Sequence, residues 1–305
     1  MEGDSGVVIG TYENSLVGIN IVAEDGESLS TQLKFTNQCH VGHVLSVAAH
    51  SQFIASGGDD ETIRLLDIRK GVELGTLIHH EGSLNKLVFH ESAGTLFLVC
   101  ASVDGTISIW KCAQWDCLHA LTGHKGAVSS LDVHPSGRFL LSVGVDRTLM
   151  TWNLMTGRQA FITRLPKAAT DVKFSPNGNC FYLVFGSKVD VYDTASVAVK
   201  CSLECESPIS SLTWWSDDQL LTGHQDGKLI LFTIGDKEAT QRAVSEDAHK
   251  NRIKCVTCMK RAGGKRIAIS ACSDGLLVFW NVKKSKIVKL SSGEIPGRPI
   301  CMTTF

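Results

Sequence analysis

The chain has 305 residues, of which 43% are hydrophobic and 20% are charged, so it can bury a large core and is not predicted to be disordered. Lysine and arginine number 30 against 31 aspartates and glutamates, which excludes the broad basic field typical of nucleic-acid-binding domains. No apolar run approaches the roughly 18–20 residues of a membrane-spanning helix, and the opening MEGDSGVV does not resemble a signal peptide.

The predicted elements begin with three short strands, VVIGTY, SLVGINIV and STQLKF, with Glu13 in the first turn. Six segments follow, each ending in an aromatic or aliphatic residue and then a polar one. These pairs recur every 40–48 residues: Leu66-Asp67, Trp110-Lys111, Trp152-Asn153, Tyr192-Asp193, Phe232-Thr233 and Trp280-Asn281. PICMTTF at the C-terminus is one further strand. A repeat of this length is typical of the four-stranded blade of a β-propeller.

Within the segments, short apolar alternations such as VSSLDV, FLLSVGV and TLMTW are separated by turns such as HPSG and SPNG. No helical periodicity is present, so the fold class is all-β. Six segments form blades 1–6 over about residues 39–297, and about residues 5–38 pair with 298–305 as blade 7. The sequence thus predicts one domain, a seven-bladed propeller closed by its own terminal strands, which leaves no open sheet edge at the closure.

Three further positions recur in register with the terminal aromatic residue. An Asp lies six residues before it, a Ser, Cys or Thr lies four residues before that Asp, and a His precedes the first strand. The residues are Asp60, Asp104, Asp146, Asp226 and Asp274; Ser56, Cys100, Ser142, Thr222 and Ser270; and His40, His80, His124 and His249. This pattern resembles the structural tetrad of the WD-repeat family, in which His, Ser or Thr, Asp and Trp satisfy one another's hydrogen bonds.

We refer to these four positions as the polar quartet. It is predicted to be complete in blades 3 and 6, through His124, Ser142, Asp146 and Trp152, and through His249, Ser270, Asp274 and Trp280. Blades 1 and 2 have partial quartets, with His40, Ser56 and Asp60, and with His80, Asp104 and Trp110. Blade 4 has Arg164 and Gly186 at the His and Asp positions, so it is expected to open first in amide exchange.

Several sets of residues contain the types found in catalytic or metal-binding sites, but their positions favour a structural role. His124, Ser142 and Asp146 have the types of a hydrolase triad, yet the set recurs between blades and its Ser lies in an apolar strand, so no catalytic residue and no enzymatic activity are predicted. Cys255 and Cys258 lie in a strand, where residues three apart face opposite sides, and no metal site is predicted. Phosphate-binding glycine motifs are missing from the sequence, so no cofactor is expected.

The remaining cysteines and histidines are also assigned structural roles. The 11 cysteines lie mainly in apolar segments, which favours free thiols in a reducing, intracellular compartment. Histidines outside the quartets are interpreted as turn or surface residues: His79, His90, His119, His134 and His224. Three tryptophans outside the repeat positions could serve an interface or the core: Trp115, Trp214 and Trp215.

Loops next to the quartet His and Asp positions carry a set of charged residues that should share one face. Asp59, Lys125, Arg147, Lys250 and Arg252 are the candidate partner-binding residues, because loops on a rigid scaffold are where binding concentrates. The sequence therefore predicts a binding platform, and protein partners are expected.

Longer stretches resemble one WD-repeat subfamily, the PAK-interacting WD proteins, which are similar to the MAK-type factors of large ribosomal subunit assembly. The residues that carry the resemblance include GTYENSLVGI, HHEGSL, HPSGRFLLSVGVDRTLMTWNLMTGRQAFI, KVDVY and AHKNRIK. The resemblance implies a scaffold in 60S subunit biogenesis, located in the nucleus and nucleolus and bound to pre-60S assembly factors. As an alternative it implies a negative regulator that binds a PAK serine/threonine kinase.

Members of that subfamily usually continue into a lysine-rich tail, whereas this sequence ends at Phe305 and its propeller is near neutral. Direct RNA contact therefore stays open. We expect the propeller to be monomeric and not to contact a membrane.

Overall fold

The computed structural model describes residues 5–23, 29–245, 249–261 and 264–305, and these form seven four-stranded antiparallel sheets. The prediction of an all-β, seven-bladed propeller is confirmed. The predicted blade ranges also include residues 24–28, 246–248 and 262–263, which lie outside the described residues. Among the described residues there is no helix long and apolar enough to cross a bilayer.

Each blade consists of four consecutive strands, numbered here from the propeller axis outward, except blade 7. Blades 1–3 contain β4 (Val44–His50), β5 (Phe53–Gly58), β6 (Thr62–Asp67), β7 (Val72–Ile78), β8 (Leu84–Ser92), β9 (Thr95–Ser102), β10 (Thr106–Lys111), β11 (Asp116–Thr122), β12 (Val128–Val133), β13 (Phe139–Gly144), β14 (Thr148–Asn153) and β15 (Arg158–Arg164). Blades 4–6 contain β16 (Asp171–Phe174), β17 (Cys180–Phe185), β18 (Lys188–Asp193), β19 (Val199–Glu204), β20 (Ile209–Ser216), β21 (Gln219–His224), β22 (Leu229–Ile234), β23 (Ala239–Val244), β24 (Ile253–Lys260), β25 (Arg266–Cys272), β26 (Leu276–Lys283) and β27 (Lys286–Glu294).

Blade 7 joins the two ends of the chain. Its strands are, from the axis outward, β28 (Pro299–Thr304), β1 (Gly6–Thr11), β2 (Ser15–Ala23) and β3 (Leu29–Gln38). Strand β28 runs antiparallel to β1 in the register Val7↔Thr304. Glu13 adds a polar clasp, because its carboxylate accepts hydrogen bonds from the Arg298 backbone N–H at 2.8 Å and from Arg298 Nε at 3.0 Å.

The core lies between the blades. Among the described residues, seven clusters of buried apolar side chains each draw on two neighbouring sheets. The cluster between blades 2 and 3, for example, packs Val99 and Ile109 against Leu140 and Trp152. Alternation along each strand supplies one set of side chains to each neighbouring blade, which is why the strand period predicts the core so well.

The three tryptophans outside the quartets pack in the protein. Trp214 is buried and its indole N–H donates to the Lys173 carbonyl at 3.3 Å, while Trp115 and Trp215 are partly buried against apolar clusters. Trp115 also meets Phe53 edge to face, with ring centroids 5.5 Å apart. The ring surfaces of these three tryptophans are thus largely packed against other residues of the propeller.

Candidate functional site

Blade 3 contains the whole polar quartet. His124 Nδ1 lies 3.1 Å from Asp146 Oδ2, His124 Nε2 lies 2.8 Å from Ser142 Oγ, and Trp152 Nε1 donates to the same hydroxyl at 2.8 Å. Thr148 Oγ1 donates to the Asp146 carboxylate at 2.7 Å. The bonds tie the loop before β12 to β13 and β14, so the turn between these two strands is held in place.

The Ser142 geometry is that of an architectural residue. Its side chain is fully buried and its oxygen is engaged by both the His and the Trp. A serine nucleophile needs exposure and a free approach to substrate, which this hydroxyl does not have.

Blade 2 has the same network with its hydroxyl on a different strand. His80 Nδ1 lies 3.0 Å from Asp104, but His80 Nε2 meets Ser108 Oγ at 2.7 Å, and Trp110 Nε1 donates to Ser108 at 2.8 Å. Ser108 on β10 is the direct cross-strand partner of Cys100 on β9. The hydroxyl has thus moved one strand outward, and the assignment of Cys100 to that role is corrected.

Blade 1 has the His, Ser and Asp without the indole. His40 Nε2 lies 2.8 Å from Ser56 Oγ and Nδ1 lies 2.9 Å from Asp60 Oδ1. Leu66 stands at the Trp position and is buried. Because a leucine has no donor to satisfy, the shorter network leaves no indole N–H unpaired.

Blade 6 differs from the prediction of a complete quartet. His249 Nε2 meets Ser270 Oγ at 2.7 Å and Trp280 Nε1 donates to Ser270 at 2.8 Å, but His249 Nδ1 has no hydrogen-bond partner among the described residues. Asp274 instead accepts from Asn251 Nδ2 at 3.1 Å and from the Cys272 thiol. Asn251 captures the carboxylate that the histidine would otherwise use, so the His249–Asp274 bond is corrected.

Blade 5 uses a histidine that the repeat spacing did not select, because it lies on the second strand and not before the first. His224 is buried, with Nε2 2.8 Å from Thr222 Oγ1 and Nδ1 3.1 Å from the Ser207 carbonyl, so its interpretation as a turn or surface residue was wrong. Asp226 stays within the turn, where it accepts from Lys228 N at 3.3 Å and pairs with Lys228 Nζ at 3.4 Å. The signal was present in the pattern Thr-Gly-His, which places a His on the same strand face as the Thr.

Blades 4 and 7 replace the quartet with apolar side chains. Blade 4 has Leu165, Leu183 and Tyr192 at the His, Ser and Trp positions, and all three contribute to the cluster shared with blade 3. Strands β17 and β18 pair as far as Phe185↔Lys188, so the turn at Gly186 is one residue shorter than in blade 3 and has no Asp position. The assignments of Arg164 and Gly186 to the His and Asp positions are corrected.

In blade 7 the equivalent buried residues are Ile295, Ile9 and Ile19. Only the acidic turn residue survives, as Glu13, and it pairs with Arg298 rather than a histidine. Replacing a whole polar set by aliphatic residues leaves no orphaned donor, which is how a blade can lose its network without a buried unsatisfied group.

The quartets shift the titration of their members. Burial alone would raise the pKa of Asp146, but hydrogen bonds from Thr148, the Lys125 backbone and His124 outweigh it and hold that pKa below its usual value. Burial lowers the pKa of His124, against the raising effect of Asp146. In blade 6 burial lowers the pKa of His249 to about 4. Both histidines are therefore neutral at pH 7.

A ring of hydrogen bonds joins each blade to the next near the axis. We call these seven bonds the inner ring: Cys301 Sγ to Val44 O, Leu87 N to Ser46 Oγ, Asn85 Nδ2 to Val128 O, Ser130 Oγ to Asp171 Oδ1, Tyr182 Oη to Leu212 O, Val256 N to Ser211 Oγ, and Cys255 Sγ to Ile300 O. Every pair of neighbouring blades is covered once, so the ring is closed.

The inner ring carries charges where it meets blade 4. The Asp171 carboxylate accepts from Ser130 Oγ at 2.6 Å and from Lys86 Nζ at 3.3 Å, and it lies 3.1 Å from the Tyr182 hydroxyl. The Lys86 ammonium overcomes the effect of burial and lowers the pKa of Asp171. Burial raises the pKa of the neighbouring Asp132 to about 6. These groups line a central channel of about 490 Å³.

The cysteines of the sequence are all free thiols. Cys255 and Cys258 donate to different carbonyls, Ile300 O at 3.2 Å and Trp214 O at 3.5 Å. Within the part of the chain that the structure describes, no group of three or more His, Cys, Asp or Glu side chains could hold a metal ion.

The five candidate partner-binding residues are all exposed on one face of the propeller, at the loops that lead into the innermost strands and the turns between the second and third strands: Asp59, Lys125, Arg147, Lys250 and Arg252. We call this the quartet face. Its loops are anchored from below, since Asp146 accepts from the Lys125 backbone at 2.9 Å and Asp60 accepts from the Val41 backbone at 3.0 Å. The sheets thus present these side chains on a fixed frame.

Comparison with known proteins agrees with this architecture. The sequence model of the family described as "WD domain, G-beta repeat" matches residues 31–67, 71–111 and 115–153, which run from β3 in blade 7 to β14 in blade 3. In the solved structures, a chain of the "Crystal Structure of Mitotic Checkpoint Complex" superimposes with a TM-score of 0.72 at 18% identity, covering 90% of this chain and 86% of that one. That likeness shows the fold.

Curated relatives match over nearly the full length. A "p21-activated protein kinase-interacting protein 1-like" of Gallus gallus is 37% identical over 94% of this chain and 75% of its own. "Protein MAK11" of Saccharomyces cerevisiae is 27% identical over 97% of this chain and 82% of its own. The similarity to these relatives therefore extends well beyond the residues that match the repeat model.

Proposed function

Since this chain belongs to the family of p21-activated protein kinase-interacting WD-repeat proteins, we propose that it is a non-catalytic scaffold that binds a PAK serine/threonine kinase and restrains its activation. The observation that carries the proposal is the pairing of that similarity with a rigid face of exposed, charged loops. Since the side chains of His124, Ser142 and Asp146 are shielded within the blade 3 quartet, inhibition would arise from binding and not from chemistry on the kinase.

The test is a titration of a purified PAK kinase and its activator with the purified chain. We expect stoichiometric binding and a parallel loss of kinase activity. The variant Arg147→Glu should weaken binding without changing the melting temperature, because this side chain is exposed. Full kinase activity in the presence of excess chain would refute the proposal.

A second function is favoured by the similarity to Protein MAK11 over 97% of this chain. As a 60S subunit assembly scaffold, the protein would bind pre-60S factors and reside in the nucleus and nucleolus. We expect it then to co-sediment with pre-60S particles, and its depletion to cause unprocessed large-subunit RNA to accumulate. Sedimentation only at the top of the gradient, with normal RNA processing, would rule this function out.

A further inference from the structure

The quartet face carries an apolar arc on blades 1–3. Val41 is 85% exposed, Val145 is 56% exposed and Val103 is 44% exposed. Val103 and Val145 occupy the same position in neighbouring blades, directly before the quartet Asp. Blades 5 and 6 have the polar Gln225 and Ser273 there, so the fold itself does not require an apolar residue.

The loops that carry Val103 and Val145 adjoin each other. Gly105, two residues after Val103, lies against the blade 3 loop, where an added Cβ would be 3.2 Å from the Gly126 carbonyl oxygen. Gly126 in turn lies under Val145, whose Cγ2 would be 2.8 Å from a Cβ at that glycine. Single exposed apolar residues are ordinary on a protein surface, but a run along adjoining loops is typical of an interaction site.

Opposite charges lie at the two ends of the arc. Asp59, Glu61 and Glu81 are exposed on blades 1 and 2, and Lys125, Arg147 and Lys167 are exposed on blades 3 and 4. None of the six forms an ion pair with another of the described residues. Elsewhere on this face, Glu13 and Arg298 are paired with each other.

We propose that this arc is the docking surface for a protein segment with a basic end, an apolar centre and an acidic end. The basic end of the segment would lie over Asp59, Glu61 and Glu81, its apolar side chains over Val103 and Val145, and its acidic end over Lys125, Arg147 and Lys167. The charge complementarity fixes one direction of binding. A uniformly anionic ligand such as RNA is disfavoured by the three carboxylates.

This inference deepens the proposed function and rests on its premise that the quartet face binds a partner. It also narrows that face, because Lys250 and Arg252 are on blade 6, across the ring from blades 2 and 3. Reversal of charge at Lys250 is therefore expected to have no effect on a ligand of the arc.

The test uses two synthetic peptides of about 12 residues, which extend to roughly 40 Å. One has three lysines, an apolar centre and three glutamates, and the other has the same composition with the charges alternating. Fluorescence anisotropy should show at least tenfold tighter binding of the first peptide. Equal binding of both, or tighter binding of a single-stranded RNA oligonucleotide of similar length, would overturn the proposal.

Variants then locate the contact. Asp59→Lys and Arg147→Glu should each weaken binding of the first peptide by about tenfold, and Val145→Ser by about threefold. Glu206→Lys, an exposed reversal on the blade 5 part of the same face, is the matched control and should change nothing. Loss of binding in the control to the same extent as in the arc variants would contradict the assignment.

A compensating swap gives the sharpest outcome. The double variant Asp59→Lys and Glu81→Lys should lose the bipolar peptide and gain a peptide with glutamates at both ends. If the arc binds these peptides but a PAK kinase does not bind the protein, the proposed function fails and the surface stands. If the kinase binds equally to wild type and to the arc variants, the surface fails and the function stands.

Discussion

Blades 3 and 4 are neighbours, and each is a four-stranded antiparallel sheet, yet they are stabilised differently. In blade 3, Asp146 fixes a loop through His124 and a buried hydroxyl. In blade 4 the quartet positions are apolar, and the charged group has moved to Asp171 at the channel, where it joins Lys86, Ser130 and Tyr182. A blade therefore requires that its buried polar atoms have hydrogen-bond partners, and it does not require one particular set of residues.

Both modes depend on a closed ring, and deletion of residues 299–305 should have the largest effect. It removes β28, exposes the edge of β1 and opens two interblade clusters. We expect a loss of more than about 5 kcal/mol, comparable with the whole stability of many domains, measured by chemical denaturation. Arg298→Ala is the control, because losing an exposed ion pair costs under about 1 kcal/mol. An unchanged melting temperature after the deletion would show that closure does not matter.

The blade 4 arrangement is tested by Asp171→Ala, which strands Lys86 and removes the acceptor for Ser130. The expected loss is about 2–4 kcal/mol, less than for a fully buried pair because solvent in the channel reaches both side chains. Asp132→Asn is a matched change nearby. Since the pKa of Asp132 is raised to about 6, its ionised form opposes folding at pH 7, and this variant should raise the melting temperature. A stabilised Asp171→Ala protein would contradict the network.

The quartet mode is tested in blade 2, where the hydroxyl has changed strands. Ser108→Ala should cost about 2–3 kcal/mol, because His80 and Trp110 each lose a buried partner. Cys100→Ala, at the direct cross-strand position, should cost no more than about 1 kcal/mol. Urea denaturation measures the free energy of unfolding of both variants. A larger loss for Cys100→Ala than for Ser108→Ala would restore the role first predicted for Cys100.

The next prediction concerns the pH dependence of stability that the blade 6 quartet produces. The folded-state pKa of His249 is about 4, below its usual value of 6.5, so the unfolded chain binds more protons between these values. His249 alone should thus lower the free energy of unfolding by about 2–3 kcal/mol as the pH drops from 6.5 to 4. His249→Gln should remove this contribution and so reduce the pH dependence of stability, measured by urea denaturation at a series of pH values.

The smallest expected effect is the amide exchange difference between the two blades. Amides of β18 should exchange about threefold to tenfold faster than those of β14, because no Asp clamps the short turn at Gly186. Exchange measured by mass spectrometry would contradict this if β14 opened first.

The repeat length and the turn Asp were enough to predict the propeller and its closure, since both follow from strand period and turn chemistry. The networks were harder, because they depend on which strand supplies a group. Ser108 in TISIW looks like an ordinary alternating residue, and only the cross-strand register with Cys100 shows its role. Asn251 competes for Asp274 from a loop, and no local pattern reveals that competition. The one-residue deletion at Gly186 shifts the alignment of blade 4 without changing its apolar alternation.

The inner ring joins all seven blades in a closed circuit near the axis. Every blade is bonded to both neighbours near the axis. If one of these hydrogen bonds breaks, the other six still connect all seven blades. A partner bound to the loops of one blade would therefore exert its force on the neighbouring blades as well, through the inner ring. Two inner-ring bonds must break before a group of blades can separate from the rest. Double variants at two different inner-ring bonds should therefore lower the free energy of unfolding by more than the sum of the single variants.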